Sequence, residues 1–278
     1  MNGSAAERTL RIEPPRSWQT IDLPELWRYR ELLYFFVWRD IKVRYKQTVL
    51  GAAWAVIQPL STTFLFTLVF GVLGGMSKHV QGPYALHVFV GLLPWTFFAN
   101  AVNQAANSLV GSGHLISKVY FPRLLVPLSS VVAGLVDFAV SFAALLVLMA
   151  FYGVWPGAGL IALPAFLLGT MAAAAGTGLL FAALIVTYRD FRYVVAFVVQ
   201  LWLYATPVLY TLDIIPERWR LLYAINPMAG MIAGFRAAAL GGASPSGVIA
   251  VSALSAVLLF VAGARYFMNV ERRFADVI

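Results

Sequence analysis

The stretch Leu124–Phe151, LLVPLSSVVAGLVDFAVSFAALLVLMAF, contains a single charged residue, Asp137. A helix of about 20 mostly apolar residues crosses the hydrocarbon core of a bilayer. Runs of the same character occur at roughly 53–75, 85–109, 160–187, 194–212 and 248–268. Turn-forming residues separate several of them: Gly74-Gly75, Gly82-Pro83, Pro156-Gly157 and Ser244-Pro245-Ser246-Gly247. The charged break Tyr188-Arg189-Asp190 divides the fourth run from the fifth. Together these runs predict an all-α membrane protein with six transmembrane helices.

Composition points the same way. The chain is 61% hydrophobic and 12% charged, where a soluble domain carries roughly 25% charged residues. A soluble all-helical protein with this sequence would need several helices buried on every side. Cysteine is absent, which excludes disulfides and thiolate metal sites. His79, His87 and His114 lie far apart and show no metal-ligand spacing.

The net charge of +8 is a matter of topology and does not indicate a nucleic-acid partner. With six spans, sixteen of the twenty Lys and Arg residues fall on the side of the termini. The other side holds Lys78, Arg218, Arg220 and Arg236. Positive charge marks the cytoplasmic side, so both termini are expected in the cytoplasm. Residues 1–46 are charge-dense and lack the apolar core of a signal peptide. The first span is therefore expected to act as its own membrane signal.

Ahead of that span, residues 1–21 read as a flexible arm. Asp22-Leu23-Pro24-Glu25 then reads as a helix start, with an Asp cap and Pro in the first turn. Residues 22–46 continue with helical periodicity. Glu25, Arg28, Glu31, Arg39, Lys42 and Lys46 share one charged, mainly basic face, on which Phe35 intrudes, and Trp27, Tyr34, Trp38 and Ile41 cluster on another. That pattern fits a helix lying in the membrane interface; a plain extension of the first span is the simpler alternative. The transmembrane domain covers 47–268, and 269–278 form a tail.

Four features could carry chemistry. Asp137 is expensive inside a span and either bonds a neighbouring helix, carries a proton, or serves transport. Asn100, Asn103, Gln104 and Asn107 share one helical face and must meet protein or water. They either bond between helices or line a conduit entrance. Aromatics make up 14% of the chain, and Trp202, Tyr204 and Tyr210 crowd toward the outer half. An interfacial belt and a track for sugar rings both fit them. Finally, Leu221–Leu240 is interrupted at Asn226-Pro227 and predicts an outer re-entrant helical hairpin between the fifth and sixth spans, or else a surface loop. A phosphate-binding loop is missing, so the chain is not expected to hydrolyse ATP.

Four further stretches carry a resemblance: RDIKVRYKQTVLGAAWAVIQPL (Arg39–Leu60), LISKVYFPRLLVPLSS (Leu115–Ser130), YRDFRYVVAFVVQLWLYATPVLY (Tyr188–Tyr210) and AINPMAGMIAGFR (Ala224–Arg236). The chain resembles ABC transporter permeases of the polysaccharide and polyol-phosphate exporter family. The resemblance implies a homodimer bound to two ABC ATPase subunits, with ATP and Mg on the ATPase and no cofactor on this chain. It implies a coupling helix near 108–123, with His114, Lys118, Tyr120 and Arg123 facing the ATPase. The interface helix would reach the same partner. The conduit would draw on the first and fifth spans, with Phe64, Phe70, Trp202, Tyr204 and Tyr210 as candidates beside Asn100 and Asn103. Asn226, Pro227 and Arg236 would belong to an outer gate. The implied cargo is a lipid-linked polysaccharide such as O-antigen, moved across the bacterial inner membrane. Export of small hydrophobic drugs or lipids is the nearest alternative. A membrane-embedded glycosyltransferase would need a carboxylate pair or metal site near the surface.

Overall fold

The computed structural model describes residues 23–46, 51, 53–80, 82–113, 118, 121–155, 157–188, 190–242, 244–271 and 274. The arm 1–21, Asp22, His114, Tyr120, Arg272 and Arg273 lie outside the described residues. Among the described residues every regular element is helical. In chain order they are α1 (Leu23–Arg28), α2 (Arg30–Tyr45), α3 (Ala53–Phe66), α4 (Tyr84–Gly111), α5 (Leu125–Phe151), α6 (Leu163–Thr187), α7 (Phe191–Tyr204), α8 (Glu217–Tyr223), α9 (Pro227–Leu240) and α10 (Ser246–Glu271). The single helix predicted over 22–46 breaks at Tyr29. A π-helical segment, Thr67–Leu73, prolongs α3.

Among the described residues, five helical stretches are long and apolar enough to cross a membrane: Ala53–Leu73, Tyr84–Gly111, Leu125–Phe151, Gly159–Thr187 and Ser246–Glu271. The run predicted at 194–212 differs. It forms the 14-residue α7, about 21 Å long at 1.5 Å per residue, followed by turns to Tyr210. Pro207 has no N–H to extend the helix, and side chains take over the carbonyls beyond Tyr204.

Two apolar clusters mark the ends of the bundle. One gathers Phe36 of α2, Leu109 of α4, Leu125 of α5, Val186 of α6 and Phe267 of α10, with Phe274. The other gathers Leu86 and Phe89 of α4, Leu145 and Met149 of α5, Leu163 of α6, and Phe235 of α9. Thus α4, α5 and α6 alternate in direction between an α2 end and an α9 end. The centre is α4, whose span is 78% buried, whereas only 17% of the α3 span is covered.

Small residues let the backbones close up. A Cβ on Gly263 of α10 would collide with the carbonyl oxygen of Gly176 on α6, and one on Gly176 would sit 2.5 Å from Phe260 Cα. Lipid supplies no hydrophobic drive between helices, so such close van der Waals packing holds spans together.

Candidate functional site

Two polar clusters stand at opposite ends of this bundle. The first runs from the α2 end to the middle of α5. Arg44 pairs with Asp137 of α5 and donates to the side-chain oxygen of Gln104 on α4. Tyr45 donates its hydroxyl to the same carboxylate. One turn earlier, Asp40 accepts from Arg39 Nε at 3.0 Å and from the Ser129 and Ser130 hydroxyls at 3.3 Å. Helix α2 is thus fastened to α5 at two levels, through buried or half-buried polar groups. Arg39 also stands over the Phe36 ring at 5.0 Å. A cavity of about 450 Å³ opens between α2, α4 and α5, lined among others by Arg39, Asp40, Arg44, Gln104, Ser108 and Ser112.

The amide face of α4 mostly bonds to its own helix. Asn103 Nδ2 donates to Ala99 O and Asn107 Nδ2 to Asn103 O, each at 2.8 Å and each to the residue four positions back. Gln104 alone of this set reaches another element among the described residues. Asn100 is half-buried.

Of the residues assigned to ATPase coupling, Lys118 is exposed. Arg123 is tied inward. Its backbone N–H donates to Glu271 Oε1 at 3.1 Å, and its Nη1 to the Glu271 carbonyl at 2.8 Å. On α1 and α2, Arg28 and Lys42 are exposed, as is Lys46 beyond the α2 end. Lys42 lies over the Trp38 ring at 5.1 Å.

The second cluster surrounds the chain just after α7. Asn226 caps α9 by accepting from Met228 N at 3.0 Å, and Pro227 occupies the first helical turn, where its missing N–H costs nothing. The same amide accepts from Trp202 Nε1 and donates to Ala205 O and Thr206 Oγ1, all at 3.0 Å. Tyr223 donates to Ala205 O at 2.7 Å and shares a 2.7 Å hydroxyl contact with Tyr210. Arg236 is 9% exposed and meets no carboxylate in the described structure. Instead it donates to Pro207 O, Val208 O, Tyr210 O and His87 O at 3.1, 2.8, 3.3 and 3.4 Å.

The conduit candidates divide by position. Phe64 and Tyr204 are 72% and 54% exposed. Phe70 and Trp202 are half-buried against the core, with Trp202 edge-on to Phe98 at 5.2 Å. Tyr210 is half-buried beneath Tyr223. Asp137 and Gln104 stand out in the sequence, whereas Arg44 and Tyr45 do not, the one being a topological charge and the other part of a motif. The usable signal was the rule that an ionisable group inside a span has a partner.

The pattern of the ABC-2 type transporter family matches residues 31–240. An O-antigen export system permease protein, RfbA, from Myxococcus xanthus is 34% identical over 260 residues, spanning 91% of this chain and 98% of the relative. A protein of the same name from Klebsiella pneumoniae is 30% identical over 250 residues, spanning 89% and 95%.

Proposed function

The chain belongs to the ABC-2 type transporter family, and on that premise we propose that it is the transmembrane subunit of an ATP-driven exporter of a polysaccharide of the O-antigen kind. The observation that carries this reading is the near-complete overlap with relatives named as O-antigen export permeases. The working unit is a homodimer with two ATPase subunits, which bind ATP and Mg. The cargo is lipid-linked and moves outward across the inner membrane.

Six crossings with cytoplasmic termini fit the packing. Arg123 bonds Glu271, and Phe36 and Phe267 share one apolar cluster. A path that leaves α2 at one face and returns to that face at the end of α10 crosses an even number of times. The short α7, with its turns to Tyr210, supplies the remaining crossing, the fifth in chain order. The α2 end then faces the cytoplasm, where Lys118 and the basic face of the interface helix meet the ATPase.

A homodimer fits the uncovered faces. Both α3 and α7 pack on α4 and present Trp54, Phe64, Phe197 and Tyr204 outward. A bundle with helices 8–10 Å apart has no room for a hydrated polymer. A two-fold axis along α3 and α7 gives the polymer a wall from each protomer.

The test is genetic. Deleting the gene should leave lipid-linked polymer inside the cell and none on its surface, and the intact gene should restore it. Unchanged surface polymer in the deletion strain would refute the reading.

A further inference from the structure

Buried arginine without a carboxylate is costly in any protein and more so at membrane depth. Arg236 accepts that cost for a specific geometry. Its four Nη hydrogens serve four backbone carbonyls, three of them on the turns after α7 and one on α4. The Nε hydrogen has no partner among the described residues. Tyr84 at the start of α4 takes one more carbonyl of those turns, donating to Leu209 O at 2.8 Å. Asn226 and Tyr223 take Ala205 O. The segment Ala205–Tyr210 therefore has nearly all its freed carbonyls satisfied by side chains of α4 and the hairpin.

The hairpin's two helices differ sharply. In α9 most residues are buried, and Phe235 and Ala238 sit in the same cluster as Leu86 and Phe89 of α4. In α8 none is buried. The second helix is thus part of the bundle's fixed core, and only the first lies open. Gly91 completes the seat: a Cβ there would collide with Arg236 Nη2 and lie 3.0 Å from Val208 O.

We infer that Arg236 is a positioning residue that pins the outer end of α7 to the α4–α9 core. The pinned segment, Ala205–Tyr210, is the fulcrum about which the free length of α7 swings during transport. Motion driven from the α2 end then spreads the conduit below the fulcrum, while α9 stays still and α8 alone is free to uncover the exit. The exposed residues Tyr193, Phe197 and Leu201 lie on the swinging arm. This inference rests on the homodimeric exporter proposed above.

The chain has no native cysteine, so one spin label per protomer reports one distance across the dimer. Tyr193→Cys and Ala205→Cys are measured in the complete complex with its ATPase, without nucleotide and with trapped ATP. The distance at Tyr193 should shift, and that at Ala205 should stay. In Arg236→Gln the Ala205 distance should become nucleotide-dependent, with export reduced at least tenfold while ATP hydrolysis continues; Arg236→Lys should recover part of the export. An Ala205 distance that shifts as far as the Tyr193 distance in the unaltered background overturns the fulcrum, whatever Arg236→Gln does to folding. So does Arg236→Gln behaving like the parent in distance and export. The absence of any distance across a dimer would refute the homodimer instead, which separates the two failures.

Discussion

Asp137, deep in the span of α5, is paired with Arg44 from a helix 93 positions earlier in the chain. The two side chains are each 23% exposed, so their attraction is only partly screened, and removing either leaves the other charge poorly solvated. Arg44→Ala and Asp137→Ala should each lower the thermal stability of the purified complex. The double variant should lose less than the sum, with a coupling of about 1–3 kcal/mol. Additive losses would show that the pair contributes nothing.

Tyr45 shares that carboxylate. Burial, followed by the hydrogen bond to Asp137, pushes its hydroxyl from 10.0 up to about 12. A raised value favours the neutral phenol in the folded state. Its contribution is therefore whole below the ordinary tyrosine value and lost as pH rises through about 12. Tyr45→Phe should cost about 1 kcal/mol at neutral pH. The gap to the parent should close between the two values, as followed by thermal melting in detergent. A gap independent of pH would mean the hydroxyl is not the cause.

The family resemblance implies a coupling role for both Lys118 and Arg123, and the fold treats them differently. Lys118 is exposed and bonds none of the described residues, whereas Arg123 is anchored to Glu271. Lys118→Glu should leave melting unchanged and reduce polymer-stimulated ATP hydrolysis. Arg123→Ala should lower stability by about 1–2 kcal/mol through the lost charge-assisted bond. Equal effects of the two on melting would contradict this division.

Where α6 meets α10, the contact is backbone on backbone. Gly176→Ala or Gly263→Ala should each destabilise the isolated chain by about 1–3 kcal/mol, because neither backbone can yield to a methyl group. Unfolding in mixed micelles checks this. Gly157→Ala, with open space around its Cβ position, serves as the neutral comparison.

Much of this architecture was legible in the sequence, for identifiable reasons. Spans near 53–75, 85–109, 124–151, 160–187 and 248–268 emerged because apolar length alone fixes a crossing, and the observed helices fall close to those limits. The Asn226-Pro227 break located the turn between α8 and α9 because a cap and a missing N–H act locally. The end of α7 at Tyr204 was not legible. Hydropathy continues past it, and the helix stops where Pro207 offers no N–H and the distant Asn226 and Arg236 take the carbonyls that follow. Nor does periodicity reveal that Asn103 and Asn107 turn back onto their own helix, since a shared face fixes direction but not the acceptor. Arg44 and Asp137 are joined by folding alone, and a pair so far apart leaves no mark in local pattern. Nor does the sequence pattern of Leu221–Leu240 reveal that α9 is largely buried while no residue of α8 is.

The most direct measurement of the account is translocation in sealed vesicles. The purified chain and its ATPase are reconstituted together, lipid-linked polymer is supplied on the ATPase side, and the polymer reaching the opposite side is quantified. Transfer should require both subunits and hydrolysable ATP, and should stop when either is withheld. Polymer crossing with this chain alone, or a complex that hydrolyses ATP at full rate and moves none of the polymer, would contradict it.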